Sequence, residues 1–224
     1  MTAGRSGNAL SSDTLQEFNR KVADPSFFCG GGSVAAISTS SSAALTLLVM
    51  RLSARRKANR ECNANIERQI AELEVLQQRL YSAADSDLDV LDVLLNARRH
   101  MKETGDRQAY QSALIAAARS PYEICRDSLQ LLQMIEAQLP LASRFTASDL
   151  GAAGALAMGA IQGAILTTDV NVALLRDEEG IDVAEIDRIE GDSIEVVRAA
   201  AEIAGRIASG TRAAIRPAPD GQQP

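Results

Sequence analysis

The stretch that decides the fold is residues 30–51, which read GGGSVAAISTSSSAALTLLVMR. Three glycines run directly into small apolar and hydroxyl residues, and we predict a closely packed helix over residues 33–51 with Ser33 as its N-cap. The first N–H groups of a helix have no partner inside it and lie at the positive end of its dipole. Because glycine has no side chain, a ligand carboxylate or amide would reach this backbone directly. The alternative is a tight turn in which the glycines adopt positive φ.

On both sides of this stretch the chain is predicted to be helical, because no segment alternates between apolar and polar residues for long. The first helix has Asp13 and Gln16 at capping-box spacing, and a later one has Ser120, Pro121 and Glu123 as a start signal. The predicted helices cover residues 13–22, 33–51, 63 to the mid-90s, 108–119, 120–138 and 148–175, with one or two more between 183 and 212. The fold class is therefore an all-α bundle with long small-residue helices.

Composition limits the possible functions. The chain has 224 residues, a net charge of −6, 3% aromatic residues and no Trp, so aliphatic residues must fill a helical core. The negative charge argues against a general nucleic-acid binder. Three scattered cysteines indicate reduced thiols in the cytosol, and a single histidine, His100, argues against a zinc site or a serine protease triad. We predict one domain over residues 12–214, with disordered ends at residues 1–11 and 215–224.

Two stretches, residues 34–50 and 150–166, are apolar enough to resemble membrane spans. Both are rich in small residues, Ala and Ser in the first and Ala and Gly in the second, and both are at or below the usual length of a span. We interpret them as helices buried in a bundle or in its dimer interface, and we expect neither a membrane nor a nucleic acid as a partner.

The predicted helix from residue 63 to the mid-90s has one carboxylate among its apolar positions. Ile66, Leu73, Leu80 and Leu94 share a heptad position that also contains Asp87. A carboxylate on a core-facing stripe is costly unless it is paired or hydrogen-bonded. Either the helix bends and turns the stripe outward, or Asp87 faces a cleft in which desolvation raises its pKa and suits it to acid–base chemistry.

A second polar group interrupts the apolar helix over residues 148–175. Thr167 and Asn171 are four residues apart and share one face, and the neighbours of Asn171 are apolar. These side chains either bind a polar ligand ring or connect helices by hydrogen bonds.

The motifs resemble those of the cyclodeaminase/cyclohydrolase family, which includes the cyclodeaminase domain of formiminotransferase-cyclodeaminase. Residues 30–36 resemble its glycine-serine signature, and residues 87–97 resemble its acidic helix. The proline-started segment at residue 120 and the segment from Ser148 to Asn171 follow in the same order. The resemblance covers roughly residues 14–204.

The chain departs from the family pattern in three places. Phe27, Phe28 and Cys29 stand where the family usually has P-T-P, and Thr167 stands where an asparagine is common. Where the family has an L-P-K segment, this chain has His100, Met101 and Lys102, so only the lysine is kept.

The resemblance implies a cytoplasmic homodimer that acts on folate one-carbon compounds, with a tetrahydrofolate derivative as substrate and no metal or tightly bound cofactor. The implied catalytic residues are Asp87, as base or water-orienting group, and Lys102, which together with the basic run at Arg55 would meet the glutamate tail. The implied substrate-binding residues are Gly30, Gly31, Gly32, Ser33, Asp149, Thr167 and Asn171.

Three functions stay open at this point. The first is hydrolysis of 5,10-methenyltetrahydrofolate to 10-formyltetrahydrofolate, and the second is closure of 5-formiminotetrahydrofolate with release of ammonia. The third is a helical dimer that binds a folate without catalysis, which the departure at residues 27–29 would favour.

Overall fold

The computed structural model describes residues 9–27 and 29–216. Its six α-helices are α1 (Leu15–Val22), α2 (Gly31–Ala54), α3 (Asn63–Thr104), α4 (Arg107–Gln138), α5 (Ala147–Arg176) and α6 (Val183–Ile215). Short 3-10 turns cover Leu10–Ser12, Lys57–Cys62 and Leu139–Leu141. No strand occurs in the described part of the chain, so the predicted all-α bundle is confirmed.

The small-residue helices α2 and α5 form the centre of the bundle. They pack against each other, α3 and α4 cover them, and α6 packs on α4 and α5. Close contact is possible because their facing positions are Ala, Gly, Ser and Thr, as at Ala36, Ala43 and Ala153, which are fully buried. Larger side chains from α3, α4 and α6 complete the core, among them Leu73, Leu80, Leu131, Leu132, Ile135 and Ile203.

Both central helices are long and apolar enough to cross a membrane by length and composition. In α2, 61% of the most apolar window is buried inside the chain, whereas in α5 the share is 39%. The helix α5 therefore leaves much of an apolar face uncovered by its own chain.

Several predicted boundaries were wrong. The helix α2 begins at Gly31, with Gly30 as its N-cap, so Ser33 lies inside the helix and does not cap it. The cap of α1 is Thr14, whose side chain accepts from the Glu17 N–H, one residue after the predicted position. The residue at the end of α3, Gly105, has φ of +80°, a conformation that glycine adopts without strain.

The start signal at residue 120 was also wrong, because α4 is one continuous helix with Pro121 inside it. The predicted disordered ends lie mostly outside the described residues. Within the described part, Leu10 is buried and its N–H donates to Asp85 Oδ1 at 2.6 Å, and Ile215 is the last residue of α6.

Candidate active site

The heptad stripe of α3 stays on the core side of the helix through Asp87. Ile66, Leu73 and Leu80 are fully buried, and Asp87 and Leu94 are each 8% exposed. The alternative of a bend that turns Asp87 outward is therefore wrong. Asp87 therefore places a carboxylate in the interior, at a heptad position that is otherwise leucine or isoleucine.

Two helices approach this carboxylate through hydroxyl groups. From α2, Ser33 Oγ lies 3.1 Å from Asp87 Oδ2 and 2.9 Å from the carbonyl oxygen of Ala84, and the Ser33 backbone N–H also faces the carboxylate. From α4, Ser120 Oγ donates to Asp87 Oδ1 at 3.0 Å. Asp87 is thus held by neutral groups, two of them from Ser33 in the N-terminal turn of α2 and one from Ser120 in α4.

The triple glycine permits this approach. A Cβ on Gly32 would lie 2.6 Å from Asp87 Oδ2, and a Cβ on Gly31 would lie 2.9 Å from Thr167 Oγ1. The tight-turn alternative is wrong, because Gly30 has φ of −90° and the positive-φ glycines of the described chain are Gly105 and Gly180. Glycine is needed here because α3 and α5 bring polar side chains against the bare start of α2.

Pro121 and Asn171 form a second connection, between α4 and α5. Proline has no N–H, so inside a helix the carbonyl four residues earlier loses its backbone partner. That carbonyl belongs to Ala117, and Asn171 Nδ2 donates to it at 2.8 Å. The amide of Asn171 is therefore oriented by the backbone of α4, with one of its two N–H groups bound to Ala117 and its oxygen left as an acceptor.

These groups border one cavity of about 280 Å³, which we call the main cleft. Its polar lining comes from Gly30, Asp87, Thr167 and Asn171, and its apolar lining comes from Val90, Leu91, Leu94, Ala117, Leu166 and Val170. An apolar cavity with a few convergent polar groups is the usual form of a small-molecule site. The volume lies just below the about 300–1,000 Å³ typical of ligand pockets.

The surroundings of Asp87 alter its acidity. Burial raises the pKa of Asp87 above its ordinary value of 3.8, and the hydrogen bonds from Ser120 and Ser33 oppose part of this effect. When protonated, Asp87 can donate to Ser33 Oγ while the Ser33 hydroxyl donates to Ala84; when ionised, it accepts from both serines. The carboxyl group can therefore take up and release a proton without rearrangement of the helices.

Some of the expected site residues are not at this cleft in a single chain. Lys102 is exposed and lies 15 residues after Asp87 on α3, about 22 Å along the helix. Asp149 lies in the first turn of α5, 22 residues and about 33 Å before Asn171. Arg55 caps the far end of α2, and neighbouring Arg56 donates to the carbonyl of Leu141.

Other residues that contact Asp87 or line the main cleft were missed at the level of sequence. Ser120 was interpreted as a helix cap, but α4 continues through it and its hydroxyl donates to Asp87 Oδ1 on α3. Leu166 and Val170 are 65% and 61% exposed, and they occur at the helical spacing of Thr167 and Asn171, which was the available signal. Among the described residues, no cluster of His, Cys, Asp or Glu has the arrangement of a metal site.

Three comparisons with known proteins agree with one another. The family described as formiminotransferase-cyclodeaminase matches residues 14–186. A methenyltetrahydrofolate cyclohydrolase from Methylorubrum extorquens is 27% identical over 170 residues, which cover 74% of this chain and 82% of that protein. The crystal structure of a formiminotetrahydrofolate cyclodeaminase from Thermotoga maritima has the same fold, with a TM-score of 0.83 and 19% identity over 92% of this chain and 100% of that one.

Proposed function

This chain belongs to the formiminotransferase-cyclodeaminase family, and we propose that it is an enzyme of folate one-carbon metabolism that hydrolyses 5,10-methenyltetrahydrofolate to 10-formyltetrahydrofolate. The observation that carries the proposal is the buried Asp87, which borders the main cleft and is held by the hydroxyls of Ser33 and Ser120. The reaction in the relative from Methylorubrum extorquens, as its name describes it, is of the same kind.

The reaction needs a placed water and a base. The substrate carbon lies between two nitrogens that share a positive charge, so it is already electrophilic. Asp87 takes one proton as the water oxygen bonds to this carbon, and the bond from the carbon to N5 then breaks. N5 receives the second proton of the water. One proton is left over, because a cationic amidinium and water give a neutral formamide and a neutral amine at N5.

The remaining groups of the main cleft suit the bicyclic ring of a folate. The apolar side chains of Leu91, Leu94 and Val170 can pack against the faces of the ring, and the Asn171 oxygen can accept a hydrogen bond from a ring N–H. The Thr167 hydroxyl lies on the Gly31 side of the cleft and offers a further polar contact. The small volume of the cleft suits the ring and leaves the glutamate tail outside.

A second candidate is the cyclodeaminase reaction, in which 5-formiminotetrahydrofolate closes to the methenyl compound and releases ammonia. The family description favours it, because it names a cyclodeaminase. The same carboxyl group would serve in it, now as the acid that protonates the leaving nitrogen.

One pair of assays tests both candidates. Purified protein is mixed with 5,10-methenyltetrahydrofolate, and the loss of near-ultraviolet absorbance is compared with the spontaneous rate. In parallel, 5-formiminotetrahydrofolate is tested for ammonia release. Acceleration of the first reaction alone supports the hydrolase, and acceleration of the second supports the cyclodeaminase. If neither is accelerated but folate still binds, the protein is a non-catalytic binder.

We also propose that the protein acts as a homodimer through the uncovered face of α5. Leu156, Leu166 and Val170 are 47%, 65% and 61% exposed, and a Cβ on Gly159 or Gly163 would meet nothing within 4 Å. Contiguous exposed apolar surface usually marks an interface, and glycines without close neighbours in their own chain permit the approach of another backbone. Because Leu166 and Val170 border the main cleft, a second copy would extend its wall.

A further inference from the structure

Ser120 contacts both Asp87 and a second cavity. Its hydroxyl donates to Asp87 Oδ1 at 3.0 Å, and the residue is half-buried. It also lines a cavity of about 480 Å³ between α3 and α4, which we call the second cleft. The second cleft is lined in addition by Ser112, Arg119 and Glu123, among others. Asp87 itself lines the main cleft, so the Ser120 hydroxyl lies between the carboxylate and this other opening.

The other hydroxyl that contacts Asp87, that of Ser33, has no route to solvent. Ser33 is fully buried, and its second contact is the carbonyl oxygen of Ala84, which accepts a hydrogen bond but has no proton to pass on. Among the described contacts of Asp87, Ser120 is therefore the hydroxyl that solvent can reach. This access of solvent to Ser120 becomes important once a ligand fills the main cleft and separates Asp87 from water on that side.

We propose that Ser120 conducts the surplus proton of hydrolysis from Asp87 to water in the second cleft. This inference rests on the proposed hydrolase function. After Asp87 has taken a proton from the attacking water, its O–H donates to Ser120 Oγ, and the Ser120 hydrogen moves to a water of the second cleft. The carboxylate is then restored while the product still occupies the main cleft. No oxidant is needed, since two O–H bonds break and two form, and the net result is the transfer of one proton from Asp87 to water.

Charged groups near this route are already paired. Arg119 forms an ion pair with Glu185, and Glu123 forms one with Arg126 at 2.9 Å. The groups that face Asp87 itself are the hydroxyls of Ser33 and Ser120, the Ser33 N–H and, across the main cleft, Thr167 and Asn171. All of these are neutral. The Ser120 hydroxyl is thus the group whose removal should alter proton transfer at Asp87 most directly.

The experiment compares Ser120→Ala with Ser112→Ala and Ser120→Thr in the hydrolysis of 5,10-methenyltetrahydrofolate. Ser112 is exposed and lines the same second cleft, so it is the matched control, and Thr restores the hydroxyl. For Ser120→Ala we expect kcat to fall about tenfold to a hundredfold and KM to stay within about twofold, since proton transfer contributes to the rate and not to substrate contact. We expect the solvent deuterium isotope effect on kcat to increase, because proton release becomes the slow step.

Each outcome bears on the proposal. An unchanged plateau kcat and isotope effect in Ser120→Ala would overturn the proton route, even if the pH profile moved. Equal losses in Ser120→Ala and Ser120→Thr would also overturn it, because the hydroxyl would not be the cause. A wild-type protein that does not hydrolyse the substrate would reject the proposed function and this role with it. An active wild type with an unaffected Ser120→Ala variant would reject the role of Ser120 alone.

Discussion

At the scale of single residues, Asp87 combines a buried position with a negative charge. We expect Asp87→Asn to lower the turnover of 5,10-methenyltetrahydrofolate by about 10²–10⁴-fold, because an amide cannot accept the proton of the attacking water. The fold should persist, since Asn is of similar size and can still accept from Ser120. Steady-state rates, with circular dichroism as the control for folding, check this. Wild-type turnover in the variant would remove Asp87 from the mechanism.

The raised pKa of Asp87 makes a prediction about pH. The proposed base must be ionised, so the rate of the wild-type protein should fall as the pH drops through a value above the ordinary 3.8.

The free energy of unfolding should depend on pH in the opposite direction. A carboxyl whose pKa is raised in the folded state stabilises the fold at low pH, and this contribution is lost as the pH rises through the folded-state pKa. Denaturant unfolding from pH 4 to 7 should therefore show that Asp87→Asn gains stability relative to wild type as the pH rises.

A substitution at Gly32 tests the close approach of α2 to Asp87. We expect Gly32→Ala to abolish most activity, because the new methyl group would lie 2.6 Å from Asp87 Oδ2 and would displace the carboxylate. The matched control is Gly205→Ala in α6, where a Cβ meets nothing within 4 Å. The control should keep full activity and gain about 1 kcal/mol in the free energy of unfolding through better helix propensity. Equal activities of the two variants would contradict the packing described here.

Which residues are unusual could be predicted from the sequence, whereas most of their contacts could not. Asp87 was recognisable because a carboxylate interrupts a leucine stripe, and repeats of this kind report burial directly. Ser33 was assigned as a cap because sequence alone does not show that a helix from a distant segment, α3, approaches the glycines. The contact of Ser120 with Asp87 joins positions 33 residues apart, and local signals carry no information about it.

At the scale of helices, the proline inside α4 has a partner in α5. We expect Asn171→Ala to destabilise the fold by about 1–3 kcal/mol, because the buried carbonyl of Ala117 would lose its donor. In Pro121→Ala the restored N–H would take this carbonyl back, so stability should not fall, and the released Asn171 amide should raise KM.

A double-mutant cycle separates this link from unrelated effects. With Pro121→Ala present, Asn171→Ala should cost less than it does alone, since the backbone then satisfies Ala117. Urea unfolding of the four proteins measures the difference. Additive losses would show that Pro121 and Asn171 act independently.

Helix existence was predictable for all of the long elements, because apolar spacing persists over many turns. The boundary between residues 119 and 120 was not, because Ser, Pro and Glu at this spacing are also a genuine start signal. Tertiary packing supplied what the local signal omits: Asn171 satisfies the carbonyl that the proline leaves open. The helix therefore continues through a residue that normally ends one.

At the scale of the whole molecule, the uncovered face of α5 makes a prediction about assembly. We expect Gly159→Ala to weaken the proposed dimer, because its methyl group would enter the contact between backbones. Gly205→Ala, which is also an exposed glycine within a helix, is the control and should leave the molecular mass unchanged. Light scattering coupled to size exclusion, over a dilution series, measures this. A wild-type protein that is monomeric at every concentration would reject the homodimer.

The global architecture was predictable because composition restricts it. A chain with few aromatics and two long segments of small residues has to bury those segments against each other, and α2 and α5 do so. The location of Lys102 and Asp149 was beyond this reasoning, since the helix length decides it: α3 and α5 continue for several turns past the residues of the main cleft. Both residues would need a neighbouring subunit to act at a cleft.

The neutral surroundings of Asp87 also have a consequence for the order of binding and release. Its described contacts include hydroxyls and one N–H but no cation. The methenyl ring would supply the positive charge that the ionised carboxylate lacks, whereas the formyl product has no positive charge at this position. Affinity should therefore drop as the reaction proceeds, so the enzyme would be weakly inhibited by its own product. Because the attraction acts inside the protein, added salt should affect it little.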